Sequence, residues 1–305
     1  MTGLRIGIDF GGTKIEAVLM NAAGEVVHRE RRSAPQGDYE ATLSALCRLV
    51  HDLDARAGSP CPVGIGTPGA WVERRHVLKN CNATWLNGKP LLDDLVDCLG
   101  SRVRIANDAN CFALSEARDG AGRGANIVFG VILGTGVGGG IVVNGSLLEG
   151  ANAVGGEWGH TPMPYLRADW VIESRLRECE ARLGSRTCYC GRVDCVETWI
   201  SGPALAATYE ELEGVARAPE EIAKLETPAM DLYFAMLARA LAQIVNIVDP
   251  DVIVLGGGVS NIPRIYERVP ELMSRYGFTH EGATLLKPAQ FGDASGVLGA
   301  ARLHG

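Results

Sequence analysis

The stretch LRIGIDFGGTKIEAVLM, residues 4–20, decides the reading of the fold. Two apolar runs, residues 4–10 and 15–20, flank Gly11-Gly12-Thr13-Lys14. Branched residues on both sides of a glycine turn predict a β-hairpin. The layout returns further on: an apolar run at 127–133, then Gly134-Thr135-Gly136-Val137-Gly138-Gly139-Gly140, then a second run at 141–144. Thr135 lies 122 residues after Thr13. A repeat at that distance is too long for a solenoid and suits two similar lobes, each opening with a glycine hairpin and facing a shared cleft.

The chain between and beyond these hairpins alternates in type. Tyr39, Leu43, Leu46, Leu49, Val50 and Leu53 recur at helical spacing and predict a helix over 39–56, ended by Gly58. A short strand at 63–66 runs into the turn Thr67-Pro68-Gly69. Another at 103–106 meets Asn107-Asp108 ahead of a helical stretch at 109–117. A helix over 228–248 ends at Asp249-Pro250, and a strand at 252–255 enters Gly256-Gly257-Gly258. The tail, 295–303, reads as a last helix folding back onto the first lobe. This alternation predicts an α/β architecture. Residues 144–200 are irregular and rich in glycine, cysteine and tryptophan, which marks a segment that is functional or held by something besides a core.

Composition narrows the function. Of 305 residues, 47% are hydrophobic and 21% charged, a balance that excludes a disordered chain. No run approaches the roughly 18 consecutive apolar residues of a membrane span, so no membrane partner is expected. The net charge of −7, without a basic cluster, argues against nucleic acid as partner. The first residues lack a basic-then-apolar export layout, and a reducing cytoplasm is the expected location.

Three glycine turns, each after an apolar strand, carry the first candidate chemistry. Backbone amides in such turns can converge on an anion, and the missing Cβ admits a phosphate closely. The phosphate-holding candidates are Gly11, Gly12, Thr13, Lys14, Gly134, Thr135, Gly136, Gly256, Gly257 and Gly258. None fits the Walker spacing, which disfavours a P-loop. A single such turn serves equally as a plain hairpin; three together point to a nucleotide triphosphate. Asp9, closing the first strand, is placed to hold Mg²⁺ through water, or else to satisfy nearby turn amides.

Asp108 stands where a helix cap would stand, yet three further groups accompany it in sequence: Asn107, Glu157 and Glu197. A carboxylate there can take the proton of a substrate hydroxyl as it attacks a phosphorus atom. Carboxylates, amides and a histidine together can bind a ring of sugar hydroxyls. Nine cysteines divide unevenly: six are scattered, while Cys188, Cys190 and Cys195 fall within eight residues, with His160 upstream. Three thiolates and an imidazole make a closed tetrahedral Zn²⁺ site, structural in kind. A redox pair or a chance cluster of small core residues is the alternative.

Taken in order, the motifs DFGGTK (9–14), GTPG (66–69), ANDANC (106–111), LGTG (133–136), GEWGH (156–160), C-x-C-x₄-C-x-E (188–197) and DVIVLGGG (251–258) resemble the ROK family of sugar kinases and repressors over nearly the whole chain. The resemblance implies a two-lobed, actin-like and hexokinase-like (ribonuclease H-like) α/β fold with an interlobe cleft. It implies lobes of 1–118 plus 289–305 and of 119–288 with a zinc-binding insertion. It also implies ATP and Mg²⁺ as cofactors beside structural Zn²⁺, γ-phosphate transfer to a hexose, and a homodimer. By position Asp108 matches the catalytic base, and Asn107, Glu157, His160 and Glu197 match sugar contacts, with Pro68, Gly69 and Asn82 on the same side. His160 would touch sugar through one nitrogen and zinc through the other.

Within the family the segment KNCNATWLNGKP (79–90) looks like bacterial fructokinases of broad hexose specificity, whereas N-acetylglucosamine kinases tend to lack its Thr-Trp-Leu-Asn run. The expected substrate is therefore fructose, with mannose and glucose, and an N-acetylated hexosamine is the alternative. Trp85 either packs on a sugar face or anchors a loop. One departure stands in the cysteine motif, where Asp194 replaces the usual glycine before the last cysteine. Repressors of the family place a helix-turn-helix ahead of the first lobe, and Asp9 follows Met1 too closely to leave room for one; an enzyme is expected.

Overall fold

A computed structural model describes residues 3–167, 174–279 and 281–304. The first sheet starts as an antiparallel meander of β1 (Arg5–Phe10), β2 (Lys14–Met20) and β3 (Val26–Ser33). Helix α1 (Tyr39–Ala57) leads to β4 (Val63–Thr67). A small hairpin, β5 (Ala70–Val72) and β6 (Val77–Lys79), and α2 (Leu91–Leu99) precede β7 (Val103–Asn107). Strands β4 and β7 add in parallel, giving the order β3-β2-β1-β4-β7. Helix α3 (Asp108–Arg118) leaves the end of β7.

The second sheet repeats this plan. It opens with the meander β8 (Ile127–Leu133), β9 (Val137–Val143) and β10 (Ser146–Leu147). Then come α4 (Ser174–Ala181), α5 (Glu197–Ile200), α6 (Gly202–Glu213), α7 (Pro219–Ile222) and α8 (Pro228–Val248). Strand β11 (Val252–Gly256), α9 (Arg264–Tyr276), β12 (Leu285–Pro288) and α10 (Ser295–Ala301) complete the chain. The order β10-β9-β8-β11-β12, with β11 and β12 parallel to β8, matches the first sheet strand for strand. The two-lobed α/β fold read from the glycine repeat is the fold observed.

Each sheet has its own apolar core. One gathers Ile6, Ile8, Phe10, Leu46 and Val63, the other Phe129, Trp199, Tyr233, Leu237 and Ile253. Helix α8 has the length and apolar composition of a membrane span, but it lies in the second core, where its Arg239 pairs with Glu180. Helix α1 runs as read: Asp38 caps it by accepting from the Ala41 amide, and Gly58 ends it in the left-handed conformation.

Helices α3 and α10 fill the space between the sheets, α3 against β8 and β9, α10 against β1, β2 and β4. Glycines set how closely they approach. A Cβ on Gly299 would stand 1.7 Å from the Cys111 carbonyl oxygen, and one on Gly64 1.8 Å from that of Ala300. The buried Glu116 carboxylate ties the junction, accepting from the amides of Ala121, Gln290 and Phe291 and from the Ser295 hydroxyl. The run 134–140 divides differently from the sequence expectation. Only 134–136 turn; Gly138, Gly139 and Gly140 lie within β9, because α3 and the Trp158 ring press on that strand.

Candidate active site

The parallel strands of both lobes end at the cleft, where ligands of such sheets gather. In the first lobe the register pairs Asp9 with Gly66, Gly66 with Ala106, and Thr67 with Asn107. Asp9, the Thr67-Pro68-Gly69 turn and Asn107-Asp108 therefore stand on adjacent strand ends. Neighbouring strands lie about 4.8 Å apart. The Thr67 hydroxyl holds the turn by donating to the carbonyls of Gly69 and Ala106.

Asn107, not Asp108, is the N-cap of α3. Its Oδ1 accepts from the Ala109 amide at 2.9 Å, and the same amide reaches Asp108 Oδ1 at 2.8 Å. Asp108 is thus released from a purely structural cap role. Its carboxyl is open to solvent through the cleft while protein surrounds it on other sides. That enclosure pushes its pKa up to about 6, against the Ala109 amide, with the charges of Asp9 and Glu157 raising it further. The Asp9 carboxyl is raised too, by burial first and then by Glu16, while Lys14 opposes.

Asn107 and Glu157 line one pocket of the cleft together with Trp71, Asn110 and Glu149. Asn110 was not marked from the sequence. It stands three residues after Asn107 on the same helical face, the spacing that would have revealed it. Gly69 packs directly beneath Cys81: a Cβ on it would stand 2.3 Å from the Cys81 sulfur. Asp108 acts electrostatically on that thiol, so the turns bearing Pro68 and Asn82 flank the carboxylate. Trp85, by contrast, faces inward. Its indole donates to the Thr42 hydroxyl and its ring packs on the first core, Leu86 is buried, and Asn87 bonds the Cys81 backbone from both ends of its amide. The Thr-Trp-Leu-Asn run anchors a loop.

The tips of the glycine turns are open: a Cβ on Gly12, Gly134 or Gly258 would meet nothing. Gly257 is different, with φ 84° and packed on Leu133, so the second and third turns lie side by side. Glu197, expected at the sugar, reaches this group: its Oε2 accepts from the Val137 amide at 2.8 Å, just past Gly136.

His160, Cys188, Cys190 and Cys195 converge, their ligand atoms all within 4.8 Å of one another. Cys190 and Cys195 sulfurs are 3.6 Å apart, and Cys188 sulfur lies 3.5 Å from His160 Nδ1. Tetrahedral Zn²⁺ with bonds of about 2.3 Å to sulfur and 2.0 Å to nitrogen spaces its ligands by about this much. Asp194 adopts φ 56°, the conformation the missing glycine would supply, and its Oδ1 accepts from the Arg186 amide. The other nitrogen of His160, Nε2, lies 2.9 Å from the hydroxyl of Tyr189, a residue the cysteine spacing treats only as a spacer.

Comparison with known proteins places the chain and its fold. The model of the ROK family matches residues 5–305. The chain belongs to the ROK family. Among curated ROK relatives, N-acetyl-D-glucosamine kinase of Pectobacterium atrosepticum is 39% identical, covering 98% of each chain. Among solved structures, a ROK hexokinase from Thermus thermophilus superposes with a TM-score of 0.79 at 29% identity, over 98% of this chain and 96% of that one. A ROK glucokinase from Streptomyces griseus, solved with glucose and AMPPNP, gives 0.72 at 28% identity over 99% of both chains.

Proposed function

We propose that this protein is an ATP-dependent sugar kinase whose preferred acceptor is an N-acetylated hexosamine, N-acetylglucosamine first. The observation that carries the reading is Asp108: a carboxylate next to the N-cap Asn107 instead of serving as that cap, at the end of β7, within electrostatic reach of Asp9 and Glu157 and raised to a pKa of about 6. A base with a pKa near 6 is ionised at neutral pH and still basic enough to take a hydroxyl proton as phosphoryl transfer develops.

Each part of the cleft then has work in that reaction. Asn107, Glu157 and the turns bearing Pro68, Gly69 and Asn82 hold sugar hydroxyls. The open tips Gly11–Lys14 and Gly134–Gly136 receive phosphates, and Gly256–Gly258 approaches the nucleoside. Mg²⁺, held through Asp9, neutralises phosphate charge when bound. The Cys188, Cys190, Cys195 and His160 cluster holds Zn²⁺ and fixes the loops of Glu157 and Glu197. Closure of the lobes excludes water, which would otherwise accept the phosphate.

The choice of acceptor follows the relatives, not the 79–90 segment. The N-acetylglucosamine kinase of P. atrosepticum matches the chain end to end. In the run that favours fructokinases, Leu86 is buried, Trp85 packs on the first core and Asn87 bonds the Cys81 backbone, which makes it a support for its own loop. A coupled kinase assay over N-acetylglucosamine, N-acetylmannosamine, glucose, mannose and fructose tests this. The highest kcat/KM is expected for N-acetylglucosamine; fructose in first place would reverse the assignment.

A further inference from the structure

Tyr189 is the least expected residue of the cleft. It sits between two metal-ligating cysteines, yet its side chain turns away from them. Its ring is 76% exposed, unusual for a large aromatic side chain with a fixed position. The position is fixed: the ring meets the His160 imidazole edge to face at 5.0 Å and 87°, and its hydroxyl lies 2.9 Å from Nε2. Its partner His160 is one of the residues that the family resemblance sets at the sugar.

A metal ion in the cysteine cluster would give this contact a direction. His160 Nδ1 points into the cysteine cluster, 3.5 Å from the Cys188 sulfur. A neutral imidazole that offers its Nδ1 lone pair there must carry its proton on Nε2, so Nε2–H donates and the Tyr189 oxygen accepts. The phenol keeps its own proton to give. A hydroxyl that accepts one hydrogen bond is polarised to donate a stronger one. The nitrogen that the resemblance presents to the sugar is therefore occupied, and the outward donor is the Tyr189 hydroxyl.

We infer that Tyr189 is a substrate-contacting residue: its hydroxyl accepts from His160 and donates to an oxygen of the sugar, while its exposed ring offers an apolar face to the sugar's C–H side. This rests on the sugar-kinase reading. The site takes a hexose whose facing group is an acceptor oxygen, a hydroxyl or an acyl carbonyl, on the side where the metal loop closes the cleft.

The test compares wild type with Tyr189→Phe, which keeps the ring and removes the hydroxyl. N-acetylglucosamine, glucose and AMPPNP are titrated separately by calorimetry, and zinc content is measured on the same samples. Loss of one neutral hydrogen bond corresponds to about three- to tenfold in affinity. The expected result is that much weaker sugar binding, with AMPPNP affinity within twofold and zinc unchanged. Sugar binding that is unchanged or tighter overturns the inference, because the hydroxyl is then idle or an obstruction. Zinc lost together with sugar affinity also overturns it, showing Tyr189 to be a cover for the metal. Failure of the kinase reading looks different: sugars bind and Tyr189→Phe weakens them, but no phosphate is transferred. A wild type that binds neither sugar defeats both.

Discussion

Glu197 Oε2 accepts a 2.8 Å hydrogen bond from the amide of Val137, and so joins the segment after Cys195 to the residue that ends the Gly134–Gly136 turn. The fit depends on Gly136, where a Cβ would stand 2.6 Å from that oxygen. The carboxylate thus links the segment of the cysteine cluster to the Gly134–Gly136 turn, which is proposed to hold phosphate. Glu197→Ala should weaken AMPPNP as well as sugar binding, each by about tenfold or more, the worth of a charge-assisted hydrogen bond of about 1.5–3 kcal/mol. Calorimetric titration of both ligands checks this, and a loss confined to the sugar would show the Val137 contact to be idle.

Asp108 makes a prediction about pH. As the base it must be ionised, so kcat/KM should fall as pH drops through about 6. Stability should move the other way. A carboxyl whose folded pKa lies above its ordinary 3.8 makes the fold bind more protons than the unfolded chain between those values. Stability therefore decreases as pH rises from about 4 to about 6 and is level above. Asp108→Asn should abolish turnover by orders of magnitude while raising Tm at pH 7.5, with the gain vanishing by pH 4. Near-normal turnover of the variant would remove Asp108 from its role.

Much of this was legible in the sequence because local pattern and global fold agree. The glycine hairpins repeat 122 residues apart, and β1–β2 and β8–β9 follow that repeat with the same pairing. Asp108 and the three cysteines are legible because each lies in a short motif, Asn107-Asp108 at a strand end and Cys188-x-Cys190 with Cys195 close behind. What the sequence hid depends on direction. Nothing in the order Thr84-Trp85-Leu86-Asn87 says that the indole turns to Thr42 and not toward a sugar, and nothing in Cys188-Tyr189-Cys190 says that the tyrosine reaches His160, 29 residues back. Glu116 reads as one acid in a helix, although its partners lie as far on as Ser295.

That long reach makes Glu116 a sensitive polar group of the fold. Replacing it with alanine leaves the amides of Ala121, Gln290 and Phe291 without their acceptor at a buried junction. A fully buried unsatisfied group costs about 1–3 kcal/mol, and since these amides are part-buried, Glu116→Ala should destabilise by about 1–3 kcal/mol in all. Denaturant unfolding measures the loss, and a change below about 1 kcal/mol would mean that water replaces the carboxylate.

The cysteine cluster carries a metal count. About one zinc per chain is expected, and Cys188→Ser should lose it, because an alcohol is a poor substitute for a thiolate ligand. With His160 and the loop of Glu157 released, sugar affinity should fall further than nucleotide affinity. Metal analysis and titration on the same preparation decide the point; a metal-free, folded and fully active wild type would contradict the zinc assignment.

Asp194 sets two effects against each other. Its φ of 56° is a conformation that costs a non-glycine residue about 1–2 kcal/mol, less for aspartate, whose short side chain bonds locally. Here that bond is Oδ1 accepting from the Arg186 amide at 2.9 Å, and its backbone oxygen accepts from Met163 at 2.8 Å in addition. Asp194→Asn keeps the acceptor and the tolerance and loses only the charge of the 3.4 Å pair with Arg167, so it should stay within about 1 kcal/mol of wild type. Asp194→Gly relieves the backbone but orphans the Arg186 amide, a cost of about 1–3 kcal/mol that exceeds the relief. Asp194→Ala loses the bond and keeps the strain. Unfolding of the zinc-loaded variants should rank stability as Asn, then Gly, then Ala. Glycine ranked above wild type would mean that the turn needs only the backbone conformation and that the aspartate contributes nothing beyond adopting it.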